Sequence, residues 1–168
     1  MSLTMYTATV PTCVRALSSL AAILTKAGTN AEARKIDPNV LLGTRLAPDM
    51  FPLSTQIHIA NDIAQTGAAR LAGADVPSFE AKERSLPEWI AATRATITYL
   101  QSLKPAQFEG AEERTVTWNT RSSTKNMQGT PYLFHHVLPN VFFHVTTAYD
   151  ILRQAGVELG KQDYLGQG

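Results

Sequence analysis

Three of the four histidines in this chain, His135, His136 and His144, fall in a run of apolar and aromatic residues from Pro131 to Tyr149. Imidazoles on a bundle helix are a common way to build a metal centre, so this segment decides whether the chain could be an enzyme. At about 100° per residue, Asn140 and His144 border the arc formed by Leu133, Val137, Val141, Ala148 and Ile151, and His136 lies further toward solvent. His135 and His136 are consecutive, so they diverge by more than a quarter turn and cannot form an i, i+4 chelate. One of them is expected to be exposed and the other half-buried. His144 reads as a core-edge imidazole that donates a hydrogen bond to a carbonyl or to Gln56, with a metal-ligand or substrate role as the alternatives. Pro139 removes a backbone donor inside the segment and predicts a kink. Such a kink frees carbonyls, and Asn140 beside it is suited to act as a local hydrogen-bonding patch.

The elements that must position these groups are helices. The first runs from Thr4 to about Ala27, with Val10, Val14, Leu17, Ala21 and Leu24 spaced by three and four and Gly28 as its expected C-cap. The second opens near Phe51 and Pro52 and ends at Gly73. Its stripe of Leu53, Ile57, Ala60, Ala64, Ala68 and Leu71 is rich in small residues, which lets a neighbouring helix approach closely. His58 and Asp62 fall nearly opposite that stripe and are expected to face solvent or a partner subunit, whereas Gln56 falls at its edge. Ser85 and Glu88 form a capping box for a third helix through Trp89, Ile90, Ile97 and Leu100 to Pro105. The histidine segment is the fourth, ending at Gly156. Between the last two, alternation over Arg114 to Trp118 and a polar stretch to Gly129 predict a small two-stranded flap. The connection from Ala31 to Pro48 carries at most one short helical turn. Four helices with two long links argue for one four-helix bundle with crossover connections.

Composition narrows the function classes. The 168 residues, 44% hydrophobic and 17% charged, are expected to form a single domain spanning residues 1–168. A net charge of +1 without a dense basic run argues against nucleic acid as a partner. Cys13 is the only cysteine, which excludes an intramolecular disulfide and a thiolate cluster, and its apolar neighbours predict an inert buried thiol. The sequence has neither a secretory signal pattern nor an uninterrupted apolar run of about 18 residues, so a cytoplasmic protein without a membrane partner is expected. No nucleophile elbow, phosphate-binding glycine loop or His-Glu-x-x-His pattern occurs.

Four phrases, in this order, carry a family resemblance: Glu32-Ala33-Arg34-Lys35-Ile36-Asp37, Leu46-Ala47-Pro48-Asp49-Met50-Phe51-Pro52-Leu53, Ala69-Arg70-Leu71-Ala72-Gly73 and Gly160-Lys161-Gln162-Asp163-Tyr164-Leu165-Gly166. The chain resembles an uncharacterised bacterial family of unknown function within the DinB/YfiT-like bundles, over essentially its whole length. The resemblance implies an all-α fold, an up-down-down-up four-helix bundle, frequently dimeric. Relatives of that kind often hold a divalent metal through one histidine on helix two and a His-x-x-x-His pair on helix four, and some are thiol-dependent transferases. In this sequence the pair matches best at Asn140 and His144, with asparagine in the first place, and Gln56 stands where the helix-two histidine would be.

Two expectations follow. The first is a bundle with a degenerate metal site, acting as a homodimer that binds a small molecule or serves a structural role. Its pocket candidates are Gln56, His136, Asn140 and His144. Phe134, Phe142, Phe143 and Tyr149 surround the fourth helix so fully that something beyond its own bundle must cover one face. The alternative is a divalent-metal-dependent enzyme, such as a thiol-dependent transferase. In it His144 is the principal ligand to zinc, nickel or manganese, and His136, Gln56 or water completes the shell. The ending from Asp163 to Gly166 reads as a docking strap.

Overall fold

A reciprocal pair of threonines starts the chain's longest helix. Thr7 N–H donates to Thr4 Oγ1 at 3.2 Å and Thr4 N–H donates to Thr7 Oγ1 at 2.8 Å, which satisfies two donors at the helix start. The computed structural model describes residues 3–80, 82–120 and 122–166. Helix α1 spans Met5–Ala33 and is followed by the short α2, Pro38–Leu42. Helix α3 spans Leu53–Ala72 and α4 spans Leu86–Ser102. A single 3₁₀ turn, Pro105–Phe108, precedes the antiparallel hairpin of β1, Thr115–Asn119, and β2, Thr124–Gln128. Then come α5, Gly129–Tyr132, a π-helical turn, Leu133–Val137, the long α6, Leu138–Gln154, and α7, Lys161–Leu165. The fold is thus mostly helical with one small sheet.

The core lies among the four long helices. Helix α1 packs against α4 and α6, and α3 packs against the same two helices. Cys13, Leu17, Leu20 and Leu24 of α1 are fully buried, as are Ala60, Ala64 and Ala68 of α3. Among the described residues α1 is the one helix long and apolar enough to cross a membrane, yet 56% of its most apolar window is buried inside the fold. Cys13 behaves as read: burial alone pushes its thiol up to about 12, which keeps it protonated and unreactive.

Helix α1 does not stop at Gly28. Ala27 and Ala31 continue the buried stripe for another turn and a half, and this packing outweighs the cost of about 1 kcal/mol for a helical glycine. Gly73 does close α3 with a left-handed φ of 62°. The Ser85 box also forms, with Glu88 Oε2 accepting from the Ser85 backbone N–H at 2.6 Å and from its hydroxyl at 2.7 Å.

The disturbance expected at Pro139 takes the form of the π turn. Leu138 N–H reaches back five residues to the Leu133 carbonyl, so the ladder widens just before the residue that cannot donate. The widened turn lies against α3 where Gly67 removes a side chain, because a Cβ there would fall 2.8 Å from Val137 Cγ2. The hairpin adds a lid beside this turn. Its alternation puts Val116 and Trp118 inward while the residues between them face out.

Candidate functional site

Helices α3 and α6 bring Gln56 and His144 together at the core edge. His144 is 8% exposed and Gln56 2% exposed. His144 Nδ1 lies 2.7 Å from Gln56 Oε1, and Gln56 Nε2 donates to the Phe51 carbonyl at 3.1 Å. A carbonyl only accepts, so the Phe51 bond orients the amide and turns Oε1 toward the imidazole. Nδ1 must then carry the proton. Burial holds the His144 pKa below its ordinary value of 6.5. The ring is therefore neutral at physiological pH, with an unprotonated Nε2 that has no hydrogen-bond partner among the described residues. The Phe143 ring lies perpendicular to it at a centroid distance of 5.2 Å. The pair can accept one hydrogen bond from a ligand and offer it an aromatic surface.

The other two candidates from α6 and its approach are engaged elsewhere. Asn140 Nδ2 donates to the His136 carbonyl at 2.6 Å and so serves the interrupted ladder. His135 is exposed and His136 half-buried. The His136 ring stacks on Tyr132 at 5.3 Å and lies 4.8 Å from Trp118 of the hairpin. Among the described residues no three histidine, cysteine or carboxylate side chains converge on one point. One imidazole whose other nitrogen is held by an amide does not match a three-ligand divalent site, so the residues present do not fit the metal centre implied by the resemblance.

A family model described as Domain of unknown function (DUF1993) matches residues 5–165. The chain belongs to that family. A solved structure of a DinB family member protein from Shewanella denitrificans is similar to this DUF1993 chain, with 39% identity and a TM-score of 0.90. The match covers 97% of this chain and 92% of that one. No match is found among curated proteins.

This DUF1993 chain also carries a second polar group that reading along the sequence did not assemble. Arg70 of α3 donates to the Tyr132 hydroxyl at 3.1 Å, and the Tyr132 ring packs on Trp118 and His136. Asp62 lies on the same face of α3. Burial raises its pKa while His58 and Arg70 oppose that rise. The available signal was chemical: a buried tyrosine needs a partner for its hydroxyl, and Arg70 is the cation on the facing helix. His58 and Asp62, expected to face solvent or a partner subunit, are half-buried within the chain itself. The connection after α3 folds back so that Phe79 packs on His58 at 5.3 Å, with Trp89 at 6.3 Å and Arg84 over both aromatic rings.

These histidines set an acid limit on stability. Burial comes first in lowering the pKa of His58, His136 and His144, and Arg70 and Lys125 add to it at His136. Between each folded value and the ordinary 6.5, the unfolded chain binds more protons, so stability falls as pH drops through that window and levels off below it. Asp62, with its pKa raised, pulls the other way, and its contribution is lost as pH rises through its folded value. Urea unfolding from pH 7.5 down to pH 5 is expected to show the histidine loss, reduced in His144→Gln. An unchanged profile in that variant would remove His144 from the account.

Proposed function

We propose that the protein is a DinB-like, up-down-down-up four-helix bundle that works as a dimer and binds a small molecule at Gln56 and His144 without a resident metal. The topology is supported by the packing of α1 and α3, each on both α4 and α6, which the long connections between them permit. The observation that carries the binding assignment is the chain of contacts from Phe51 through Gln56 to His144. It fixes one tautomer and leaves Nε2 as a neutral acceptor. A ligand with a hydroxyl or N–H beside an apolar group suits that acceptor and the Phe143 ring.

The dimer reading draws on what stays uncovered. Part of the aromatic surround of α6 is met by the chain itself, because Tyr149 packs on Tyr164 of α7. Phe143 is still 55% exposed and Phe134 is also exposed, a pair of large apolar groups suited to the same pair on a second copy.

NMR shifts of the His144 ring in a small-molecule screen, expected to be lost in His144→Ala, test the binding assignment. Sedimentation equilibrium joined to elemental analysis tests the dimer and the metal-free state, using protein incubated with zinc, nickel and manganese and then desalted. The expected result is a metal-free dimer that dissociates in Phe143→Asp. Metal retained at about one ion per chain and lost in His144→Ala would overturn the metal-free reading and restore the divalent-metal enzyme. A monomer at all concentrations would overturn the dimer.

A further inference from the structure

We propose that the groove between α1, α6 and α7 is a second binding site, for a small carboxylate with an apolar body. The groove encloses about 350 Å³ and is lined by Thr12, Arg15, Ala16, Phe142, Tyr164 and Leu165, so it shares no residue with the Gln56 and His144 pair. That volume is in the range of small-molecule sites.

Three features set the ligand chemistry. The first is Arg15. Its Nε–H donates to the Leu165 carbonyl at 2.9 Å, which fixes the guanidinium plane, and its two η nitrogens have no partner among the described residues. A planar fork with two open donors matches a carboxylate. The second is Thr12. Thr25, Thr29, Thr66, Thr93 and Thr96 each donate to the carbonyl four residues back, whereas Thr12 makes no such bond, which leaves its hydroxyl for a ligand. The third is the lining's charge: among the described residues no acidic side chain lines the groove, and the adjacent Asp163 is held by Lys26 at 2.5 Å. The rest of the lining is Ala16, the rings of Phe142 and Tyr164, and Leu165, which suits a short alkyl or aromatic body. A phosphate would find one guanidinium and one hydroxyl, too few donors for its charge.

The wall is built by the strap read in the sequence. Helix α7 is tied to α1 by Arg15 and Lys26, and to α6 by the Thr146 hydroxyl, 3.1 Å from that of Tyr164.

Titration calorimetry of the full chain with octanoate, octylamine and octanol, paired with NMR mapping, tests the site. Octanoate is expected to bind saturably at one per chain and to shift resonances of residues 12–16, 142, 164 and 165, while the amine and the alcohol do not bind. Arg15→Gln is expected to weaken octanoate by about tenfold or more, the loss of a charge-assisted pair. Because that change also removes the Leu165 contact, Thr12→Val provides a variant that leaves the strap untouched, with an expected weakening of about threefold. Absence of saturable binding, equal binding of all three probes, or unchanged octanoate affinity in both variants would overturn the proposal. So would a dimer that Phe142→Asp dissociates and octanoate leaves intact, which would make the groove an interface between copies.

Discussion

Gly129→Ala is expected to destabilise the protein by about 3 kcal/mol, near the upper end for overpacking. A Cβ on Gly129 would fall 1.7 Å from the Ala111 carbonyl oxygen and 2.8 Å from its carbonyl carbon. These are backbone atoms, so no rotamer change relieves the clash. Neither can the two segments part freely, because Thr130 N–H donates to the Glu112 carbonyl at 3.1 Å and Ala111 is fully buried. Urea unfolding at neutral pH checks this, with Gly28→Ala as the internal contrast. At Gly28 the new Cβ would meet only Leu86 Cδ2 at an ordinary 3.6 Å, inside a helix, so that change is expected to stabilise by about 0.5 to 1 kcal/mol. Equal midpoints for the two variants would show that the hairpin root is looser than its geometry implies.

Trp118→Ala is expected to cost about 3 kcal/mol, the lower end for loss of a buried tryptophan, because the ring sits on a hairpin rather than at the bundle centre. It should also change a titration. Trp118 covers His136, whose pKa is lowered first by burial, then by Arg70 and by Lys125, which sits opposite Trp118 in the hairpin. Removing the indole restores solvent to the ring, and the His136 pKa should rise toward 6.5. Trp118→Phe keeps an aromatic cover and should leave that pKa nearly in place. A His136 titration that does not move in the alanine variant, followed by NMR, would show that the hairpin does not shelter this ring.

What the sequence disclosed was mainly what depends on near neighbours along the chain. The stripes of α1 and α3 are periodic, so Leu17, Leu24, Ala60 and Ala64 could be placed in the core from spacing alone. The Ser85 and Glu88 box needs only four residues. The Gln56 and His144 contact was also legible, because both positions fall at the edge of an apolar arc on helices that must pack. Contacts that depend on how the connections fold were not. Gly28 carries a local stop signal, yet α1 runs on to Ala33 because Ala27 and Ala31 are buried in the tertiary fold, which the local sequence does not show. His58 is sheltered by Phe79, from a connection with no periodicity to read. His136 is covered by a ring 18 positions earlier, whose direction depends on hairpin register. The π turn likewise leaves no mark beyond Pro139, since a proline gives the position of a break but not its form.

The strap has a consequence for the order of events during synthesis. Arg15 meets Leu165 across 150 positions, and Lys26 meets Asp163 across 137. Contacts of such long range close the largest loops available to the chain and carry the greatest closure entropy. The ribosome releases α1 first and residues 161–165 much later. Until then α1 has α4 and α6 to pack on but not α7. Its flank at Thr12, Arg15 and Ala16 therefore lacks one wall of the groove until residues 161–165 have emerged and docked.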